Sequence, residues 1–202
     1  MTADLEKPFL ALDAMGVLYE AGDDVAELLI PFVRSKGSSA SPDVVERAYL
    51  AASLGEIDAE SFWKLVGLHP DVEDEYLARH RLVAGVLDLL TNARKVFGGV
   101  CCISNDVSRW STKLRRSFGI SDAIVPWIIS ADIGVRKPSG GIYSRAISAL
   151  RVPPNRIVFV DDRLKNLDAA KRLGMRTVHF DPARSTHQSE HVSISRLAQV
   201  LD

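Results

Sequence analysis

At 202 residues the chain is long enough for one sizeable α/β domain with an insertion. Apolar residues make up 47% of it, enough for an ordinary buried core, and a formal net charge of -1 argues against binding to nucleic acid or an anionic membrane surface. No apolar run approaches the ~18 residues of a membrane span, and residues 1–7 are polar, without a signal-peptide core.

The first predicted strand is the apolar run at 9–12, which ends at Asp13 and a Gly-containing turn, Ala14-Met15-Gly16. A stretch without strands follows, at about 20–82. It reads as helices near 23–36, 43–54, 59–66 and 72–80, with Gly37 ending the first, Ser41-Pro42 opening the second and Asp58 capping the third. Strands then recur at 99–103, 124–129, 157–160 and 177–180, separated by helices near 86–95, 107–117, 140–150 and 165–173, with Gly174 as a C-cap. Beyond 181 a polar tail leads to a short helix at 193–201. Strands alternating with helices imply a doubly wound parallel sheet, whose C-terminal strand ends share one edge. Asp13, Ser104 and the pair Asp161–Asp162 meet at that edge, joined by Lys137 from the loop after the third strand.

A carboxylate at a strand end can attack or hold a metal, and two adjacent carboxylates call for a cation nearby. Cys101 and Cys102, neighbours in one buried strand, read as free thiols in a reducing cytoplasm. Lys113, Arg115 and Arg116 read as a solvated helix face. Trp63, Trp110 and Trp127 read as packing residues, Trp63 being the best placed of them to face a substrate. His69 and His80 read as surface residues and His179 as structural.

Taken in order, Asp13, Ser104-Asn105, Lys137-Pro138 and Asp161-Asp162 with Asn166 resemble the motifs of the haloacid dehalogenase-like superfamily, across residues 9–180. The resemblance implies a Rossmann-like core at 1–19 and 83–202 and a helical cap of the C1 type at 20–82. It implies a Mg2+-dependent phosphohydrolase that forms an aspartyl-phosphate on Asp13 from a small phosphorylated metabolite. Asp13, the Met15 backbone carbonyl and the acidic pair Asp161–Asp162, Asp162 foremost, would hold Mg2+. Ser104, Asn105 and Lys137 would bind the phosphoryl group, and Asn166 would support the metal's waters or Lys137. Met15 departs from the pattern, because phosphatases of this family carry a second Asp there as general acid and base. Three alternatives follow: a phosphate- and metal-binding or regulatory protein without turnover, a dehalogenase-like hydrolase, and a hydrolase of carbon–phosphorus bonds. The metal-free dehalogenase branch lacks an acidic pair in the fourth motif, and Lys36 and Lys64, the only lysines at 20–82, stand in no recognisable motif of the carbon–phosphorus branch, which uses a cap lysine.

Overall fold

A computed structural model describes residues 7–185 and 189–202. Six parallel strands form one sheet in the order β3-β2-β1-β4-β5-β6. They are β1 (Phe9–Leu12), β2 (Gly99–Ser104), β3 (Trp127–Ile129), β4 (Ile157–Asp161), β5 (Arg176–Phe180) and β6 (Val192–Ile194). Of the helices, α1 (Ile30–Ser35), α2 (Pro42–Ser53), α3 (Ala59–Leu65) and α4 (Glu73–Leu77) lie in the long connection between β1 and β2. The others are α5 (Val86–Val96), α6 (Ser108–Ser117), α7 (Ser130–Ile133), α8 (Gly140–Leu150) and α9 (Leu164–Arg172).

The central strands are apolar throughout because helices cover both faces. Side chains alternate across the sheet. Leu10, Leu12, Cys102 and Val160 pack on one side with Leu89 and Ala93 of α5, while Ala11, Cys101 and Phe159 pack on the other with Tyr143 and Ala146 of α8 and Leu167 and Ala170 of α9. The two cysteines therefore face opposite layers, and both are free and buried. Parallel pairing aligns Leu12 with Cys102 on one side and with Val160 on the other, so Asp13, Ser104 and Asp161 leave the sheet at one edge.

Most expected boundaries agree with the structure to within a residue or two. Asp58 caps α3 by accepting from the Ser61 amide at 2.7 Å, and Gly174 ends the α9 segment at φ +88. Two elements differ. The expected strand at 124–129 narrows to β3, although the Val125 amide and the Pro126 carbonyl still bond to β2. The expected C-terminal helix at 193–201 is instead β6 followed by a 3-10 turn, Leu197–Leu201. Three residues carry no strand period of their own, and β6 exists because Val192–Ile194 pair with Val178–Phe180 of β5. The polar tail expected at 181–191 includes positions 186–188, which lie outside the described residues.

The inserted helices share a continuous apolar cluster with the sheet layer. Trp63 meets Phe32, Phe62, Tyr76 and Trp110 at ring separations of 5.0–5.9 Å. Trp63 is thus wholly buried, the packing residue it was expected to be, and does not take the place facing substrate for which it was the best placed of the three tryptophans. Glu73 of α4 fastens the insertion to α6. Its buried carboxylate accepts from Trp63 Nε1 at 3.2 Å and Trp110 Nε1 at 2.9 Å, and pairs with Arg109 and Lys113. Lys113 therefore bridges α6 to the insertion, reaching Asp74 as well, rather than belonging to a free solvated face. His80, expected on the surface, is buried beside Tyr19 and Tyr76, with Nδ1 on the Leu77 carbonyl at 3.1 Å. His69 is exposed, and His179 is buried with Nε2 on the Asp162 carbonyl.

Candidate active site

The site is built on the C-terminal edge of β1, β2 and β4. Backbone pairing of the Asp13 amide with the Val160 carbonyl continues the sheet one residue past β1. The chain then folds tightly: the Leu18 and Tyr19 amides bond to the Ala14 carbonyl, and Gly16 adopts φ +79. A Cβ at Gly16 would lie 2.5 Å from Asp162 Oδ2, so this turn runs directly against the Asp162 carboxylate. Only glycine satisfies both the left-handed backbone and the close approach.

Lys137 reaches the same edge from the loop after α7, its side chain almost fully buried. Its ammonium lies 2.6 Å from Asp13 Oδ1 and 2.8 Å from Asp161 Oδ2. Asn105 fixes the loop, its Oδ1 accepting from the Lys137 amide at 2.7 Å and its Nδ2 donating to the Lys137 carbonyl at 3.0 Å. The Asn105 side chain therefore positions Lys137, which leaves the phosphate contact expected of this residue to its backbone amide. Asp161 is similarly committed. Its oxygens accept from Lys137, from Asn166 Nδ2 at 3.0 and 3.1 Å, and from the Arg163 amide at 2.8 Å. Asn166 thus holds Asp161, and through it Lys137.

Asp13, Asp161 and Asp162 place ligand oxygens within 4.8 Å of one another. Three carboxylates surround the Lys137 ammonium, with the Arg163 guanidinium as a further neighbouring cation, and negative charge remains in excess. Burial and then Asp161 push the Asp13 carboxyl well above the usual range, against the pull of Lys137. Burial and Asp161 raise Asp162 to about 6. Burial alone would depress Lys137, but Asp13 and Asp161 outweigh it and keep the ammonium charged. A cation would relieve the remaining repulsion. Asp162 Oδ1 is buried without a hydrogen-bond partner, as is Ser104 Oγ. The residues present therefore fit a hard divalent ion on Asp13 and Asp162, with the Ser104 hydroxyl free to meet an anionic oxygen.

Asp13, Met15, Lys137 and Asn166 line a cavity of about 310 Å³ between the sheet edge and the insertion. The cavity wall also includes Asp24, Tyr49, Arg136 and Arg163, to which the sequence reading gave no role. Arg136 and Arg163 each stand beside a motif residue, and a basic neighbour at both motifs was the available signal. Asp24 and Tyr49 carried none. Tyr49 donates to the Asn105 carbonyl at 3.2 Å, Arg163 donates to the Gly22 carbonyl at 2.6 Å, and Arg136 donates to Ser53 Oγ.

Residues 10–174 match the family model described as haloacid dehalogenase-like hydrolase. Glyceraldehyde 3-phosphate phosphatase of Pyrococcus furiosus is 34% identical over 83 residues, 41% of this chain and 34% of that protein. The chain thus spans about a third of the length of the curated relatives it first matches. Among solved structures, a HAD family enzyme of Bacteroides thetaiotaomicron in complex with magnesium and inorganic phosphate superimposes with a TM-score of 0.74, at 18% identity over 89% of this chain and 97% of that one. A HAD phosphatase from Thermococcus onnurineus gives 0.70, at 20% identity over 96% and 95%. With the parallel sheet and the ordered Asp–Ser–Lys–Asp edge, these findings make the chain a member of the haloacid dehalogenase-like hydrolases.

Proposed function

We propose that this hydrolase is a Mg2+-dependent phosphohydrolase acting on a small phosphorylated metabolite, with residues 20–82 forming a cap over the site. The observation that carries the reading is the Asp13–Lys137–Asp161–Asp162 constellation, in which Asp162 Oδ1 and Ser104 Oγ are buried and unpartnered. The cavity, about 310 Å³, is at the small end of ligand sites and suits a compact ester. The name of the archaeal relative, a phosphatase of a small phosphate ester, supports the same class.

In this reading Asp13 attacks phosphorus and forms an aspartyl-phosphate, which divides one difficult displacement into two. Lys137, held by Asp161 and the Asn105 clamp, neutralises the nucleophile and the phosphoryl oxygens as charge develops. Ser104 Oγ and the amides after it donate to a phosphoryl oxygen. Bound Mg2+ on Asp13, Asp162 and the Met15 carbonyl would offset repulsion between carboxylate and phosphate. Met15 favours a second reading, a phosphate-binding protein without turnover, because a thioether neither gives nor takes a proton. Turnover of alkyl, aryl and acyl phosphates with and without Mg2+ distinguishes the two. We expect Mg2+-dependent hydrolysis that Asp13→Asn abolishes in a folded protein. Wild-type rates in that variant, or no hydrolysis of any ester by the wild type, would overturn the phosphohydrolase reading.

A further inference from the structure

Met15 leaves the site without the carboxylate that handles protons, yet another buried carboxylate lines the same cavity. Asp24 precedes the π-helical turn Val25–Leu29 and is 5% exposed. It does not serve that turn, since its side chain makes no capping bond. No ion pair reaches it among the described residues, and its one side-chain partner is the Tyr76 hydroxyl, a long 3.5 Å away. Burying an acid that caps nothing, forms no ion pair and keeps only one long side-chain hydrogen bond costs stability with little structural return. Such residues collect at functional sites.

Its position suits proton transfer. In-line displacement sets the leaving oxygen opposite the attacking one. Asp13 attacks from the sheet edge, so the leaving oxygen points away from it into the cavity, and Asp24 lines that same cavity from the segment between β1 and α1. We propose that Asp24 is the general acid and base of this site, taking the place of the carboxylate absent at Met15; the inference rests on the phosphohydrolase reading above. Asp13 Oδ bonds to phosphorus as the phosphorus–oxygen ester bond breaks, and the leaving oxygen takes the Asp24 proton to depart as an alcohol. Water then attacks the aspartyl-phosphate, gives its proton to the Asp24 carboxylate, and frees Asp13 and inorganic phosphate.

The groups around Asp24 come from five other elements. Asp23 precedes it, Tyr49 and Tyr76 face it from α2 and α4, Asp106 from the loop after β2, and Arg136 and Arg163 from the loops after α7 and β4. Burial and Asp23 outweigh the two arginines and lift its carboxyl to about 6. It therefore changes charge near neutrality, as an alternating acid and base requires.

The test uses the full chain, saturated with Mg2+, on one alkyl and one aryl phosphate. For Asp24→Asn we expect the alkyl rate to fall by ~10²–10⁴-fold, the usual worth of general acid–base catalysis. With the aryl ester we expect a burst of phenol and then slow turnover, because that leaving group needs no proton but the second step still needs a base. The wild-type alkyl rate should fall as pH rises past about 6, and this limb should vanish in Asp24→Asn. Tyr76→Phe, which removes the hydroxyl contact alone, should keep both the limb and the burst-free aryl kinetics. An Asp24→Asn protein that keeps the wild-type alkyl-to-aryl ratio and shows no burst overturns this inference and leaves the phosphohydrolase reading standing. Absence of all turnover in the wild type overturns both.

Discussion

Replacing Asp24 by Asn should stabilise the protein at alkaline pH. The carboxyl sits at about 6 in the folded protein against an ordinary 3.8, a rise of about two units caused first by burial. Each unit is worth about 1.4 kcal/mol, so the ionised side chain costs roughly 3 kcal/mol. The sign follows from proton binding. Between pH 3.8 and 6 the folded state holds the proton more tightly than the unfolded chain, so stability falls as pH rises through that window. The cost is absent below it and complete above it. Asn is neutral throughout and can still accept from the Tyr76 hydroxyl. Asp24→Asn should therefore match the wild type near pH 4 and exceed it by about 2–3 kcal/mol at pH 8. Guanidinium unfolding at both pH values measures this, with equal slopes confirming that only stability changed. An equal difference at both pH values, or a less stable variant at pH 8, would refute the account of Asp24 as a strained carboxylate. A gain in stability together with a loss of turnover is the pattern of a residue kept for function.

Met15→Asp should raise turnover of alkyl phosphates by ~10-fold or more, and of aryl phosphates by less, since the variant restores a proton donor. The gain should be larger in an Asp24→Asn background, where no other carboxylate does that work; the four rate ratios are the measurement. Mg2+ should raise the melting temperature by mass action, and Asp162→Ala should diminish the rise, because Asp162 carries the unpartnered oxygen of the acidic edge. An undiminished rise in Asp162→Ala would place the ion elsewhere.

Much of this protein was readable along the chain, because its main elements are local. The run Phe9–Leu12, the β4 run and the periodic helices announce themselves through apolar patterning, and strand–helix alternation then dictates a parallel sheet. Once the sheet is parallel, chain topology brings Asp13, Ser104 and Asp161 to one edge, so the motif residues were legible too. The roles within the site were not. That Asn105 clamps the Lys137 backbone while Asp161 and Asn166 hold its ammonium in place depends on side-chain directions that no spacing encodes. β6 exists only through its pairing with β5, and His80 is buried only because the inserted helices close over it. Asp24 is the clearest case. In sequence it is one acid of an Asp-Asp pair before a helix, where acids are commonplace. Only packing of the insertion against the sheet edge removes it from water, sets two arginines and two tyrosines around it, and turns it toward the cavity that holds Asp13. Burial is a property of the assembled fold, and burial is what gives this carboxylate its chemistry.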